Sequence, residues 1–404
     1  MFALQHYAQK TNSADSLIAS VLKKYPKILA NQNKYKLQII YTQINRDEKN
    51  RPVFKDYKYI TEKKYFYPAS TVKLPIATLA LIKLEELNIP ELNRETIMIT
   101  DSAFFCQKKI SFDSTSQNYF PSIENYIKKM FLVSDNSSCA RVYEFIGFDY
   151  AHKKLSALGF KNIRLFNRLD AQCIGDTSKI TPPIYFLNTK KDTVYKQSLT
   201  YFNERLTQPI ANLKVGKAHI SLNGKRIAGP KDFFNHNYLT ATDLHQFFKK
   251  IVFNNYLTGS DKLPISGDSR LFMLKQLGLY PRESVYPKYD SKVFYDSYKK
   301  YFLYGGAASI INQDSIRVFN IVGRAYGFLT DCAYIIDYKN KIEFMLTVNI
   351  YVNEKNVIGN GKYQYEKVGL PFLKDLSWCF YNFEYSRKKL FLPDLSEFQL
   401  FNKN

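Results

Sequence analysis

Strand-like stretches gather at the two ends of this chain, and the span between them has the periodicity of helices. Near the start, residues 36–44 read as a strand, 47–51 as a turn and 54–60 as a second strand. Near the end, residues 315–323 and 328–338 are joined by Gly323-Arg324-Ala325-Tyr326-Gly327, and residues 342–352 give a third run. Strands from both termini with helices between them predict an antiparallel sheet built from both ends of the chain. That is an α+β fold, flanked by helices and carrying an inserted all-helical lobe. The chain has no βαβ alternation, no G-x-G-x-x-G, no Walker loop and no internal repeat.

The helical signals follow in order. Residues 13–25 are amphipathic with Ser13 as the cap, and a helix starting at Ser70 runs to about Leu87. Residues 121–133, 137–146 and 149–158 continue the pattern, the last closing at Gly159. Residues 239–253 form another amphipathic helix with Thr240 or Thr242 as cap, and 369–383 a closing one. Residues 171–237 are a long polar insertion marked by Pro182-Pro183, Gly224 and Gly229-Pro230. The expected division is one domain over 1–404. Its sheet lobe takes 1–66 plus 254–404, and its helical lobe takes 67–253 with the insertion.

With 404 residues, 45% hydrophobic and 23% charged, the chain can bury a sizeable core. Its net charge of +22 suits anionic surroundings such as cell-wall polymer, a membrane surface or nucleic acid. The basic residues are spread over the whole length without zinc-finger or RNA-binding spacing, so no nucleic-acid partner is expected. No apolar run reaches membrane-spanning length, and the opening Met1-Phe2-Ala3-Leu4-Gln5-His6 shows no signal peptide. Cys106, Cys139, Cys173, Cys332 and Cys379 are odd in number and widely spaced. They argue against a disulfide framework and a metal site, and predict buried thiols.

The chemistry points to Tyr67-Pro68-Ala69-Ser70-Thr71-Val72-Lys73. Three residues apart at a helix start, Ser70 and Lys73 share a face. The free N–H groups there stabilise developing negative charge, and a desolvated lysine can take the serine proton. Ser20–Lys23, Ser297–Lys300 and Ser386–Lys389 repeat the spacing and read as surface accidents. Only Ser70 precedes a long apolar helix that would bury its base. Taken alone, such a spacing is a helix cap plus a solvated lysine. The one Ser134-Asp135-Asn136 triplet changes the balance, although it too sits where small polar residues cap helices. Its serine can relay protons to a leaving nitrogen, and its asparagine can bond both lysine and substrate amide.

With these two motifs in this order, the chain resembles class A β-lactamases and the wider penicillin-recognising serine enzymes. Among these it looks like the longer β-lactamase-like serine hydrolases with an enlarged connection after S-D-N. The resemblance implies Ser70 as nucleophile, Lys73 as acylation base, Ser134 as proton relay and Asn136 as substrate anchor. It also implies no cofactor, a small β-lactam or cell-wall peptide as partner, a monomer, and a periplasmic or exported setting.

Two departures stand out. The family's K-T-G motif aligns with Ile321-Val322-Gly323, where the glycine fits and the lysine and hydroxyl are missing. Arg324 could supply a charge, but reads as an exposed edge-strand arginine; its N–H is implied to join that of Ser70 as an oxyanion hole. In the loop Arg164-Leu165-Phe166-Asn167-Arg168-Leu169-Asp170-Ala171 no glutamate stands where deacylation needs one. Asp170 could hold a water, but a salt bridge to Arg168 is the better reading. The expected function is a serine acyl-enzyme hydrolase that is slow to deacylate. The alternative is a catalytically impaired binder of cell-wall fragments on the same scaffold.

Overall fold

The computed structural model describes residues 14–60, 65–169, 179–202, 207, 209–211, 213–308, 310–312 and 314–401. Five antiparallel strands form its main sheet. They are β1 (Gln38–Arg46), β2 (Pro52–Ile60), β3 (Ile316–Ala325), β4 (Phe328–Asp337) and β5 (Ile342–Tyr351), in the order β3-β4-β5-β1-β2. The two ends of the chain therefore meet. β1 runs beside β5 with Gln38 opposite Asn349 and Gln43 opposite Phe344. Asp47 closes the first hairpin, its Oδ1 accepting the N–H of Lys49 at 3.0 Å and of Arg51 at 2.8 Å.

Nine helices are present among the described residues. They are α1 (Ala14–Lys23), α2 (Pro26–Ala30), α3 (Lys73–Leu87), α4 (Ile123–Leu132), α5 (Asn136–Ile146), α6 (Phe148–Ala157), α7 (Ala241–Val252), α8 (Gly267–Gly278) and α9 (Leu370–Ser386). Thr240 caps α7 in a reciprocal box with Asp243, and Ser122 caps α4 through the N–H of Asn125. The expected Ser13 cap lies outside the described residues. Every residue of β4 and β5 is buried, because helices cover both faces of the sheet. On one face Ile18 and Leu22 of α1 and Leu373, Leu376 and Phe380 of α9 pack on Ile39, Ile335 and Leu346. On the other face α3, α4, α5 and α7 share a second core with Ile40, Phe319, Ile321 and Met345.

Two expectations need correction. The inserted lobe is not wholly helical. Ile97–Thr100, Ile184–Leu187 and Thr193–Gln197 make a three-stranded sheet, and two- and three-residue strands recur as far as Lys231–Asp232. Pieces this short carry no alternation to read, and only their partners define them. Cys106 is disulfide-bonded, whereas Cys139, Cys332 and Cys379 are free. Pairing needs two Cβ atoms brought about 4 Å apart, and chain spacing says nothing about that. Cys173 lies outside the described residues.

Candidate active site

After Pro68 the chain makes one 3-10 turn, Ala69–Val72, and α3 begins at Lys73 rather than at Ser70. The N–H and Oγ1 of Thr71 both bind the Pro68 carbonyl, at 3.0 and 2.7 Å, and set the turn. Ala69 has φ +46°, a left-handed conformation that costs energy for a residue with a Cβ. Ser134 is in the same region at φ +59°. Strain of this kind collects at functional sites.

Eleven of the fifteen residues of α3 are buried, including all of residues 73–82, so Lys73 enters a helix whose first turns have no wet face. Its Nζ lies 3.0 Å from Ser70 Oγ, 2.8 Å from Ser134 Oγ, 2.6 Å from the Ser134 carbonyl and 2.8 Å from Asn136 Oδ1. Ser134 Oγ donates to Ser70 Oγ at 2.7 Å. Burial lowers the pKa of Lys73 to about 8, against the opposing pull of Cys139 and Asp135. As a neutral amine it keeps N–H bonds for the Ser134 carbonyl and Asn136, and presents its lone pair to the Ser70 hydroxyl.

Ser134-Asp135-Asn136 divides its labour. Asp135 caps α5, accepting the N–H of Ser138 at 2.6 Å, and the two flanking residues turn to Lys73. Capping and contact with Lys73 are therefore both present in one triplet.

The opposite wall is the edge strand β3. A Cβ on Gly323 would lie 2.5 Å from the Pro68 carbonyl oxygen and 3.1 Å from Thr71 Cγ2. Only glycine lets β3 come this close to the Ser70 turn. Ile321 is buried in the core shared with α3, so no cation stands at that position. Arg324 is exposed; it pairs with Glu366 at 2.6 Å, and its guanidinium lies 4.3 Å from the Tyr365 ring centroid. Tyr67 and Tyr326 meet with ring centroids 5.1 Å apart, and Phe233 from the insertion packs on both.

Asp170 lies outside the described residues. Arg168 forms an ion pair with buried Glu144, which Arg141 also contacts at 3.0 Å. Among the described residues no carboxylate hydrogen-bonds to Ser70 or Lys73. Nor does any cluster of three or more His, Cys, Asp or Glu stand ready to hold a metal ion there.

Residues 281–300 bring ionisable groups within electrostatic reach of Lys73 and Asp135, which nothing in the sequence suggested. Burial and the charges of Lys73 and Arg324 lower the pKa of Lys299 to about 7. Tyr289 Oη is buried with no hydrogen-bond partner, and Asp135 and Asp113 reinforce the effect of burial in raising its pKa. Ser297 and Lys300, expected on the surface, are both buried. No periodicity marks this stretch of turns, so only its neighbours in space give it meaning.

An α+β fold thus brings a serine, a lysine and an S-D-N turn together beside the edge strand of the main sheet. The chain belongs to the β-lactamase enzyme family, whose model matches residues 21–263. Among solved structures it is similar to a β-lactamase from Xanthomonas campestris. That likeness has 11% identity and a TM-score of 0.50, and covers 92% of this chain and 98% of that one. A β-lactamase from Sphaerobacter thermophilus gives 11% identity and 0.49, covering 94% and 99%. No curated protein matches the chain in sequence.

Proposed function

We propose that the protein is a serine hydrolase that opens β-lactams, or related cell-wall peptide amides, through an acyl intermediate on Ser70. The observation that carries this reading is the convergence of Ser70, Lys73, Ser134 and Asn136 within 3.0 Å contacts around one desolvated amine. Lys73 takes the Ser70 proton as Oγ attacks the carbonyl carbon. The backbone N–H groups of Ser70 and Arg324 hold the resulting oxyanion, and the approach of Gly323 to Pro68 supports that pairing. Ser134 passes a proton to the leaving nitrogen, the C–N bond breaks, and an ester remains on Ser70. Asn136 anchors the substrate amide.

Water must then cleave the ester. Asp135 is engaged as a helix cap and Glu144 is held by two arginines, so neither is free to activate that water. General-base help is worth about 10²–10⁴-fold, and its loss slows deacylation far more than acylation. A disulfide at Cys106 fits an oxidising compartment and supports an exported enzyme.

Mass spectrometry after mixing with penicillin tests the reading. The expected result is a covalent adduct on Ser70 that accumulates, with low steady-state turnover. Fast hydrolysis with no adduct would mean that a deacylating base is in place. Neither adduct nor hydrolysis at any concentration would favour the non-catalytic binder of cell-wall fragments.

A further inference from the structure

We infer that Lys299, from the segment before β3, is the residue that binds the carboxylate of the substrate, and so sets a preference for anionic substrates. The inference rests on the acyl-enzyme reading of Ser70.

The strand that lines the site offers no unengaged cation at Ile321 or Arg324. Ile321 is apolar and buried, and the Arg324 side chain is taken by Glu366 and Tyr365. Lys299 approaches the same wall from another element, the 3-10 turn Asp296–Lys299. Asn320, one residue before Ile321, fixes it there. Asn320 Nδ2 donates to the Lys299 carbonyl at 2.7 Å and to Asp331 Oδ1 at 2.9 Å, while its Oδ1 accepts from Lys300 Nζ at 2.9 Å. The backbone at Lys299 is thus tied to β3 by a buried amide that has no slack.

The two neighbouring lysines go different ways. Lys300 turns inward to the carbonyls of Leu277 and Val318, at 2.7 and 2.8 Å. Lys299 stands within electrostatic reach of Lys73 and Arg324. Its ammonium makes no hydrogen bond and no ion pair among the described residues; its contact is the Tyr298 ring, 5.1 Å from Nζ to the centroid. A desolvated ammonium within electrostatic reach of Lys73, with no carboxylate paired to it among the described residues, is unfavourable. An anion bound between Lys299 and the serine would relieve that repulsion. It would also give the ammonium the acceptors that it lacks.

Tyr289, on the same segment, points the same way. Its hydroxyl is buried, unpartnered and close enough to Asp135 to feel its charge.

The carboxylate is that of a β-lactam or of a peptide C-terminus, and a methyl ester removes the charge while leaving the acyl centre intact. The test measures rates of Ser70 adduct formation with a penicillin and with its methyl ester, for the full chain and for Lys299→Ala and Lys299→Met. Losing a charge-assisted contact of this type is worth about 10- to 100-fold. We expect the native protein to label faster with the acid by that margin. Both variants should abolish the preference, through an increase in the concentration needed for half-maximal labelling, and leave the ester rate within about twofold. Lys299→Met keeps the stem packed on Tyr298 should the alanine variant fail to fold. Equal slowing of acid and ester would make Lys299 a structural residue and overturn the inference. So would an unchanged preference. If the native protein labels with neither compound, the acyl-enzyme reading itself fails, and with it this one.

Discussion

Two S-x-x-K pairs have a buried lysine, and among the described residues only one of those lysines bonds the hydroxyl of its own serine. Ser70–Lys73 and Ser297–Lys300 both sit on 3-10 turns, and burial lowers the pKa of both lysines. Lys73 meets two hydroxyls, a carbonyl and an amide oxygen, none of them charged. Lys300 meets two strand and helix carbonyls and Asn320, with Asp331 beyond, and Ser297 is spent on the Ala307 carbonyl. Spacing and burial are therefore shared, and the acceptors differ. As the proposed base, Lys73 would take a proton from one hydroxyl and return it through the other, whereas Lys300 has only fixed acceptors around it and works as a bolt between α8, β3 and the turn before it.

The sharpest way to break the comparison is to remove each lysine. Lys73→Met should slow adduct formation on Ser70 by about 10²–10⁴-fold, the usual worth of a general base, with Ser70→Ala showing none at all. Equal loss from Lys300→Met, in protein shown by circular dichroism to be folded, would erase the distinction.

Stability should show the opposite ranking. Lys300→Met strands three buried acceptors and leaves Asp331 without its cation, a loss of about 3 kcal/mol in urea unfolding. Labelling of the folded fraction should stay within about twofold of the native rate.

A pH profile sharpens the role of Lys73. The amine acts as a base only when neutral, and its pKa is lowered to about 8. With an uncharged ester, kcat/KM for acylation should rise about tenfold per pH unit and level off above about pH 8. A flat profile between pH 6 and 8 would assign the proton to another group.

The smallest effect is expected at Arg324. Its side chain is exposed and engaged with Glu366, and only its N–H is proposed to touch substrate. Arg324→Ala should change labelling by less than about threefold, within the range of exposed ion pairs. A large loss restricted to the carboxylate-bearing substrate would move anion binding from Lys299 to Arg324.

The chain alone already contained the sheet. Its strands are long enough to show their pattern, so both termini could be assigned to one antiparallel layer, and β1 does lie beside β5. The meeting of Ser70 with Lys73 was equally legible, because they are three apart at a helix start and local geometry puts such neighbours on one face, while Ser134 and Asn136 could be singled out as the residues flanking a cap. Gly323 was readable for a similar reason, as a residue without a Cβ at a place where two backbones come together. What the tertiary structure alone decided involves groups far apart in sequence. The small strands between residues 97 and 232 exist only through their partners. The disulfide at Cys106, the burial of Ser297 and Lys300, and the pairing of Arg168 with Glu144 likewise depend on chain segments meeting in space. Lys299 is the clearest case. In a chain with 58 lysines and arginines nothing distinguishes it, and it gains meaning from Asn320 holding its backbone, Tyr298 beside its ammonium and the charges of Lys73 and Arg324 within electrostatic reach. The environment of an ionisable group is a sum over neighbours in space, and sequence lists only the neighbours along the chain.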